Sequence, residues 1–216
     1  MKSSRRSFLK AGVITGAGIT MAPTLALGML KSDEKVKVAF IGLGSRGRNH
    51  LENFLRRDDV IIPAVCDVDP FALDKTAEMF NEFGRPAPVY YTGSDYAFMD
   101  LLARNDIDGV IIATPWLWHT RMAVATMRAG KHVGVEVSAA NTIEECWDLV
   151  STYEETGKHC MILENVCYRK DVMAVLQMVR EGLFGEILHA RCGYQHELRK
   201  VKFNRGRQPE GGMLQF

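Results

Sequence analysis

This chain has little that is suited to holding a metal ion or a disulfide. Its 216 residues include five cysteines, Cys66, Cys146, Cys160, Cys167 and Cys192. Their number is odd, their spacing is irregular and no C-x-x-C pair occurs, so neither a disulfide framework nor a zinc site is expected. Most of these thiols are expected to be buried in strands and helices. His159 and His189 show no ligand spacing, so no metal site is expected. Excess charge is also missing. Lys2, Arg5, Arg6 and Lys10 put four positive charges in the first ten residues, which leaves the remainder at −3 within a formal total of +1. That excludes the basic face of a nucleic-acid binder and reads as a mildly acidic, solvated body. There is no internal repeat and no low-complexity segment beyond the N-terminus. A strongly apolar run of membrane-spanning length is lacking as well. Residues 11–30 are uncharged, but Gly12, Gly16, Gly18, Gly28 and Pro23 interrupt them, whereas a spanning helix needs about 20 strongly apolar residues.

What those first residues do contain is a targeting pattern. Ser4-Arg5-Arg6-Ser7-Phe8-Leu9-Lys10 matches the twin-arginine consensus and precedes the weakly apolar stretch. Residues 1–30 are therefore expected to be a twin-arginine signal, with a single N-terminal anchor as the alternative. The expected destination is the periplasm or the cell exterior, with no stable membrane span once the signal is removed. No cysteine lies near the cleavage region, which argues against a lipoprotein. The twin-arginine route carries proteins that are already folded, often with a cofactor inside.

The body, 47% apolar and 25% charged overall, can bury a real core. It reads as alternating strands and helices. Strands are expected at 35–41, 60–66, 89–91, 108–113, 132–137, 159–163 and 187–194. Helices are expected from the glycine turn to about Arg57, over 70–83, 95–104, 119–129, 142–155 and 171–181. Pro70 suits a helix start, Thr142 and Glu145 form a capping box, and Gly130 suits a C-cap. Such alternation predicts an α/β fold of Rossmann type, a doubly wound and mostly parallel sheet. Met122, Met127, Met173 and Met178 recur at near-helical spacing and are expected to be core residues.

The strongest motif directly follows the first strand. Gly42-Leu43-Gly44-Ser45-Arg46-Gly47 is a G-x-G-x-x-G that opens a helix. Gly42 would make the tight turn, Gly44 would let a pyrophosphate approach the backbone, and Gly47 would let the helix pack against the sheet. The pyrophosphate would sit on the helix N-terminus. Asp67 ends the second strand, 20 residues after Gly47. A carboxylate there can accept from both ribose hydroxyls and repels a 2′-phosphate, so NAD is the expected cofactor. NADP would need a cation at that point, and Arg46 and Arg48 are the neighbouring ones.

Ala113-Thr114-Pro115, His119, Ala129-Gly130-Lys131-His132-Val133 and Glu136 resemble the Gfo/Idh/MocA oxidoreductase superfamily over roughly residues 35–200. The usual Glu-Lys-Pro of that superfamily reads Glu136-Val137-Ser138 here. In ordinary dehydrogenases of the superfamily the lysine serves proton transfer, so its replacement argues against a simple alcohol dehydrogenase. Longer strings resemble glycosyl hydrolase family 109, the NAD-dependent α-N-acetylgalactosaminidases. They are Trp116-Leu117-Trp118-His119, Gly134-Val135-Glu136-Val137-Ser138-Ala139-Ala140-Asn141, Ile143-Glu144-Glu145-Cys146-Trp147, Glu164-Asn165-Val166-Cys167-Tyr168 and Gly193-Tyr194-Gln195-His196. This resemblance implies that Ser45, Arg46, Asp67, Trp116, Leu117, Trp118, His119, Glu136, Val137 and Asn165 contact NAD, and that Tyr194 contacts the sugar. Tyr168 and His196 are candidates for proton transfer or substrate contact, and each suits a structural role at least as well on the sequence alone. Read as residues alone, Trp116 and Trp118 suit core or interface aromatics equally well, and His119 suits a packing or capping role.

The chemistry implied by the resemblance is redox-neutral. The sugar is oxidised at C3, a proton leaves C2, the C1 substituent is eliminated, water adds back and C3 is reduced again, with net retention. Two carboxylates flanking the bond, as in ordinary glycosidases, cannot be picked out. Glu144, Glu145, Glu154 and Glu155 read as helix-surface charges. Export supports the same cycle, because no cofactor pool outside the cytoplasm would recycle a released NADH. The implied partner is a glycan carrying terminal α-N-acetylgalactosamine. The expected organisation is a signal over 1–30, a Rossmann domain over 31–160 and, over 161–216, the beginning of an α+β C-terminal domain that in this superfamily often mediates homo-oligomers. The chain is expected to be C-terminally truncated. The alternatives are an exported sugar or cyclitol oxidoreductase and an inactive NAD-binding fragment.

Overall fold

A computed structural model describes residues 35–193 and Glu197. Expectations that fall on residues 1–34, Tyr194 and His196 lie outside the described residues. The first strand, β1 (Val36–Ile41), is followed by α1 (Ser45–Leu55), β2 (Val60–Ile61), β3 (Ala64–Cys66), α2 (Pro70–Glu82), β4 (Val89–Tyr91) and α3 (Ala97–Leu102). The second half contains β5 (Gly109–Ile112), α4 (Trp116–Arg128), β6 (His132–Val135), α5 (Ile143–Thr156) and β7 (Cys160–Ile162). A 3₁₀ turn (Val166–Tyr168) and α6 (Lys170–Arg180) follow. All strand pairs are parallel, in the order β4-β3-β1-β5-β6-β7, with β2 alongside the start of β1. The order grows outward in both directions from β1 and β5, which is the doubly wound Rossmann arrangement.

Period-2 alternation in β1 separates two cores. Ala39 and Ile41 join Val110, Ile112, Val133 and Val135 on one face, covered by Phe98 and Leu101 of α3 and by Met122, Ala123 and Met127 of α4. Val38 and Phe40 join Val65 and Ile111 on the other face, covered by Leu51 and Leu55 of α1 and by Ala72 and Phe80 of α2. Because both faces are covered, the strands read as near-continuous apolar runs, as buried parallel sheets do.

Several expectations need correction. The strand expected over 60–66 breaks at Ile62-Pro63. Val60 and Ile61 pair with Val36 and Lys37, but Val65 and Cys66 pair with Phe40 and Ile41, a slip of one residue. Pro63 has no N–H to give to a ladder. Helix α4 begins at Trp116, three residues before the expected start, directly on its N-cap Pro115. Residues 187–193 adopt no regular structure, and no described strand pairs with them. Met122 and Met127 are core residues, but Met173 and Met178 on α6 are exposed. Helix α6 buries none of its residues, so its apolar stripe has no partner among the described residues. Only Cys66 is a buried thiol. Cys160 is half-buried, while Cys146, Cys167 and Cys192 are exposed, and all five are free. No described helix is long and apolar enough to cross a membrane, and no metal-binding cluster occurs among the described residues.

Candidate functional site

In open α/β sheets a ligand crevice forms at the carboxyl ends of the strands, where the order reverses. Here that point lies between β1 and β5. Gly42 leaves β1 at φ +89°, and a Cβ on it would lie 2.6 Å from the Ala113 carbonyl oxygen and 2.8 Å from the Thr114 nitrogen. The loop after β5 thus passes directly against the turn, and only glycine fits. A Cβ on Gly47 would lie 1.9 Å from the Gly42 carbonyl oxygen, so this glycine lets α1 pack against the turn. The protein itself requires both residues.

Gly44 differs. Its φ of −59° and ψ of −171° are open to any residue, and a Cβ there would meet nothing within 4 Å. The empty space lies in front of the α1 N-terminus, which has no side-chain cap and no acid in its first turn. An uncapped helix start with bare backbone in front of it fits an anionic pyrophosphate. The turn is pinned from both sides. Leu43 N–H donates to Asp67 Oδ2 at 2.5 Å, the Leu43 carbonyl accepts from Arg48 Nη1 at 2.6 Å, and Gly42 N–H donates to the Cys66 carbonyl at 2.9 Å.

Asp67 follows β3, beside the turn. Its Oδ1 accepts from Asp69 N–H at 2.8 Å. Burial pushes its carboxyl up, against the backbone N–H groups of Asp69 and Leu43, which favour the charged form. A carboxylate at this point fits ribose hydroxyls. Of the two neighbouring cations, Arg48 is tied to Leu43, and Arg46 donates its Nε to Glu136 Oε1 at 2.6 Å.

Glu136 follows β6 and is 6% exposed. Its Oε1 also meets His50 Nε2 at 2.6 Å, and its Oε2 accepts from Val137 N–H at 3.2 Å. Burial pushes this carboxyl up, but the bonds from His50 and Arg46 outweigh it and hold Glu136 below the usual carboxylate range. The loop after β6 is stitched to the start of α4. Thr120 Oγ1 donates to the Ala139 carbonyl at 2.9 Å and Asn141 Nδ2 donates to the Trp116 carbonyl at 3.1 Å. The His119 ring joins this loop to the previous one, with Nδ1 2.7 Å from the Ser138 carbonyl and Nε2 2.7 Å from the Thr114 carbonyl.

The candidate residues therefore fall into distinct groups. Ser45, Arg46, Glu136 and Val137 stand at the crevice with the three glycines and Asp67. Trp116 and Leu117 are exposed on the first turn of α4. Trp118 instead packs into an aromatic group, with its ring centroid 5.6 Å from Tyr96 and 6.3 Å from Phe98 and with Arg121 5.0 Å above it. His119, 1% exposed, has both ring nitrogens on backbone carbonyls, so its side chain orders the two loops. Asn165 is exposed beside the 3₁₀ turn, and Tyr168 ends that turn at 68% exposure. His50, Thr120 and Asn141 escaped the sequence reading. For His50 a signal existed, because it lies four residues after Arg46 on the helix that opens from the glycine turn, on the same face.

Residues 36–164 match the Gfo/Idh/MocA model, described as an oxidoreductase family with an NAD-binding Rossmann fold. Residues 168–216 match the C-terminal domain of glycosyl hydrolase 109. The chain is 48% identical to an alpha-N-acetylgalactosaminidase from Tannerella forsythia, over 100% of this chain and 51% of that protein. It is 49% identical to a glycosyl hydrolase family 109 protein from Parabacteroides distasonis, over 95% of this chain and 47% of that one. The chain thus spans about half the length of the curated relatives it matches. Among solved structures, the WlbA dehydrogenase from Chromobacterium violaceum, in complex with NADH and UDP-GlcNAcA, superposes with a TM-score of 0.61 at 26% identity, covering 71% of this chain and 42% of that one. The apo scyllo-inositol dehydrogenase from Lactobacillus casei shares the fold with a TM-score of 0.62 at 24% identity, over 72% of this chain and 44% of that one. With its glycine turn, Asp67 and doubly wound sheet in one crevice, the chain belongs to the Gfo/Idh/MocA oxidoreductase family and carries its NAD-binding Rossmann fold.

Proposed function

We propose that this chain is the cofactor-bearing part of an exported NAD-dependent glycosidase that removes terminal α-N-acetylgalactosamine. One observation carries the reading. A dinucleotide crevice and a segment matching the glycosyl hydrolase 109 C-terminal domain occur in a single chain, and that chain is 48% identical to an alpha-N-acetylgalactosaminidase. Gly44 and the α1 N-terminus would hold the pyrophosphate, and Asp67 the ribose hydroxyls. Arg46, in the first turn of α1, would reach the phosphates, and Glu136, Val137, the exposed start of α4 and Asn165 would border the nicotinamide half. When bound, NAD would supply a hydride acceptor and donor at one sugar carbon, which makes the neighbouring C–H acidic and leaves no net redox change. Val137 stands where ordinary relatives place a lysine, so proton transfer falls to other groups, and Tyr168 and His196 are the candidates within this chain. Tyr194 would contact the sugar. The twin-arginine pattern at residues 4–10 favours a cofactor loaded before export and restored each turnover.

The test is incubation with p-nitrophenyl α-N-acetylgalactosaminide in D₂O without added NAD. It uses the 216-residue chain beside a form extended to the relatives' length. The expected result is nitrophenol release by the extended form, with deuterium entering C2 of the sugar. Release without deuterium at C2, or no release together with NAD reduction by free sugars, overturns the reading.

A further inference from the structure

The contact of His50 with Glu136 is among the shortest in the crevice. His50 lies one turn beyond Arg46 on α1, so both side chains leave the same helix face. Both meet the same oxygen, with Arg46 Nε and His50 Nε2 each 2.6 Å from Glu136 Oε1. Side-chain exposure falls from 41% at Arg46 to 17% at His50 and 8% at Glu136. Arg46 is therefore the outer donor and His50 the inner one. Helix α1 follows β1, in one half of the sheet, and Glu136 follows β6, in the other. The contact bridges the crevice where the strand order reverses.

The two donors differ in what else they can do. Arg46 uses only Nε on Glu136, which leaves the terminal N–H groups of the guanidinium for another acceptor. It stands two residues after Gly44, where the approach is open. An anion at Gly44 would therefore compete with Glu136 for Arg46. A carboxylate buried to this degree loses heavily if it is left without a donor. His50 is the inner donor that stays.

We propose that His50 is a positioning residue of the cofactor site. It keeps the Glu136 carboxylate in place and hydrogen-bonded while Arg46 turns to the phosphates of the dinucleotide. The proposal rests on the NAD reading of the crevice and adds a division of labour between two donors of one carboxylate.

The test uses the 216-residue chain and NAD itself, with affinity measured by calorimetry and folding followed by circular dichroism. Binding by the wild-type chain comes first, and its absence would sink the NAD reading and this proposal with it. Given binding, His50→Leu is expected to weaken NAD about ten-fold, the size expected for a lost hydrogen bond to a charged group. His50→Gln keeps an N–H donor and is expected to stay within about three-fold. In a Glu136→Gln background the His50→Leu change is expected to add nothing, because the two act as one unit. Wild-type affinity in His50→Leu, equal losses in Leu and Gln variants, or additive losses with Glu136→Gln each overturn the proposal. An NMR titration decides the matter even if His50→Leu fails to fold. In the wild-type chain the Arg46 Nε–H resonance should move on adding NAD while the His50 ring resonances hold. The opposite pattern refutes the division of labour.

Discussion

Gly44→Ala and Gly47→Ala add the same methyl group three residues apart, and the structure assigns them opposite consequences. At Gly47 the new carbon would lie 1.9 Å from a backbone carbonyl oxygen. Neither partner is a flexible side chain, so α1 or the turn must shift by more than an ångström. Overpacking of this kind costs about 1–3 kcal/mol, and each kcal/mol lowers Tm by about 2–4 °C at this chain length. At Gly44 the backbone angles suit alanine and nothing lies within 4 Å. Removing glycine's freedom in the unfolded chain should leave stability unchanged or raise it by about 0.4–1 kcal/mol. Binding should respond in the other order. The Gly44 methyl would occupy the space in which a phosphate meets the backbone. Losing two charge-assisted N–H bonds there costs about 3 kcal/mol, or about a hundred-fold in NAD affinity. Thermal unfolding of the apo chains by circular dichroism and NAD calorimetry read the two effects separately. If Gly44→Ala lowers Tm as much as Gly47→Ala, or binds NAD like the wild type, the assignment of Gly44 to the ligand is refuted.

Two further outcomes are expected. Trp118→Ala should destabilise the apo chain by about 2 kcal/mol, since the half-buried indole packs on Phe98. Trp116→Ala, at 51% exposure, should stay within about 0.5 kcal/mol in the same thermal melts. At the amino ends of β6 and β7, burial and then the charges of Lys158 and His159 push His132 down, against the opposing pull of Asp108. Its folded state thus favours the neutral ring, whose Nδ1 accepts the His159 N–H at 3.1 Å, and stability should fall as pH drops through the unfolded value of about 6.5. His132→Gln should flatten that acid limb in urea titrations between pH 7 and pH 5. An unchanged pH dependence would remove His132 as its source.

The elements most legible in the chain were those whose signal is local. Pro70 opens α2 as its position suggests, and Thr142 accepts from Glu145 N–H at 3.2 Å with Ile143 opening the helix behind it. Caps act within one turn, so sequence spacing alone reveals them. The long apolar stretch of 60–66 concealed its break, because the slip at Pro63 depends on two neighbouring strands, β1 and β4, both drawing on the backbone there. Residues 187–193 have strand-like composition but no described strand beside them, and composition cannot supply a partner. His119 shows the same limit at the site. Its place in the chain suggested a ligand contact or a cap with equal force, and only the arrival of two loops, at Thr114 and Ser138, occupies both its nitrogens.

By itself the sequence determined the alternation of strands and helices, the glycine turn and the acid at the end of the second strand. Each of these is a matter of residue type at a spacing of a few residues or of one βα unit. The tertiary structure decided what closes on the glycine turn, because the backbone of Ala113 and Thr114 that meets Gly42 lies some 70 residues away. It also decided that Arg46 and His50 converge on Glu136 across 90 and 86 positions. Contacts of that range exist only once both halves of the sheet have closed on one another, since a linear pattern carries no information about which carboxylate will meet which helix face.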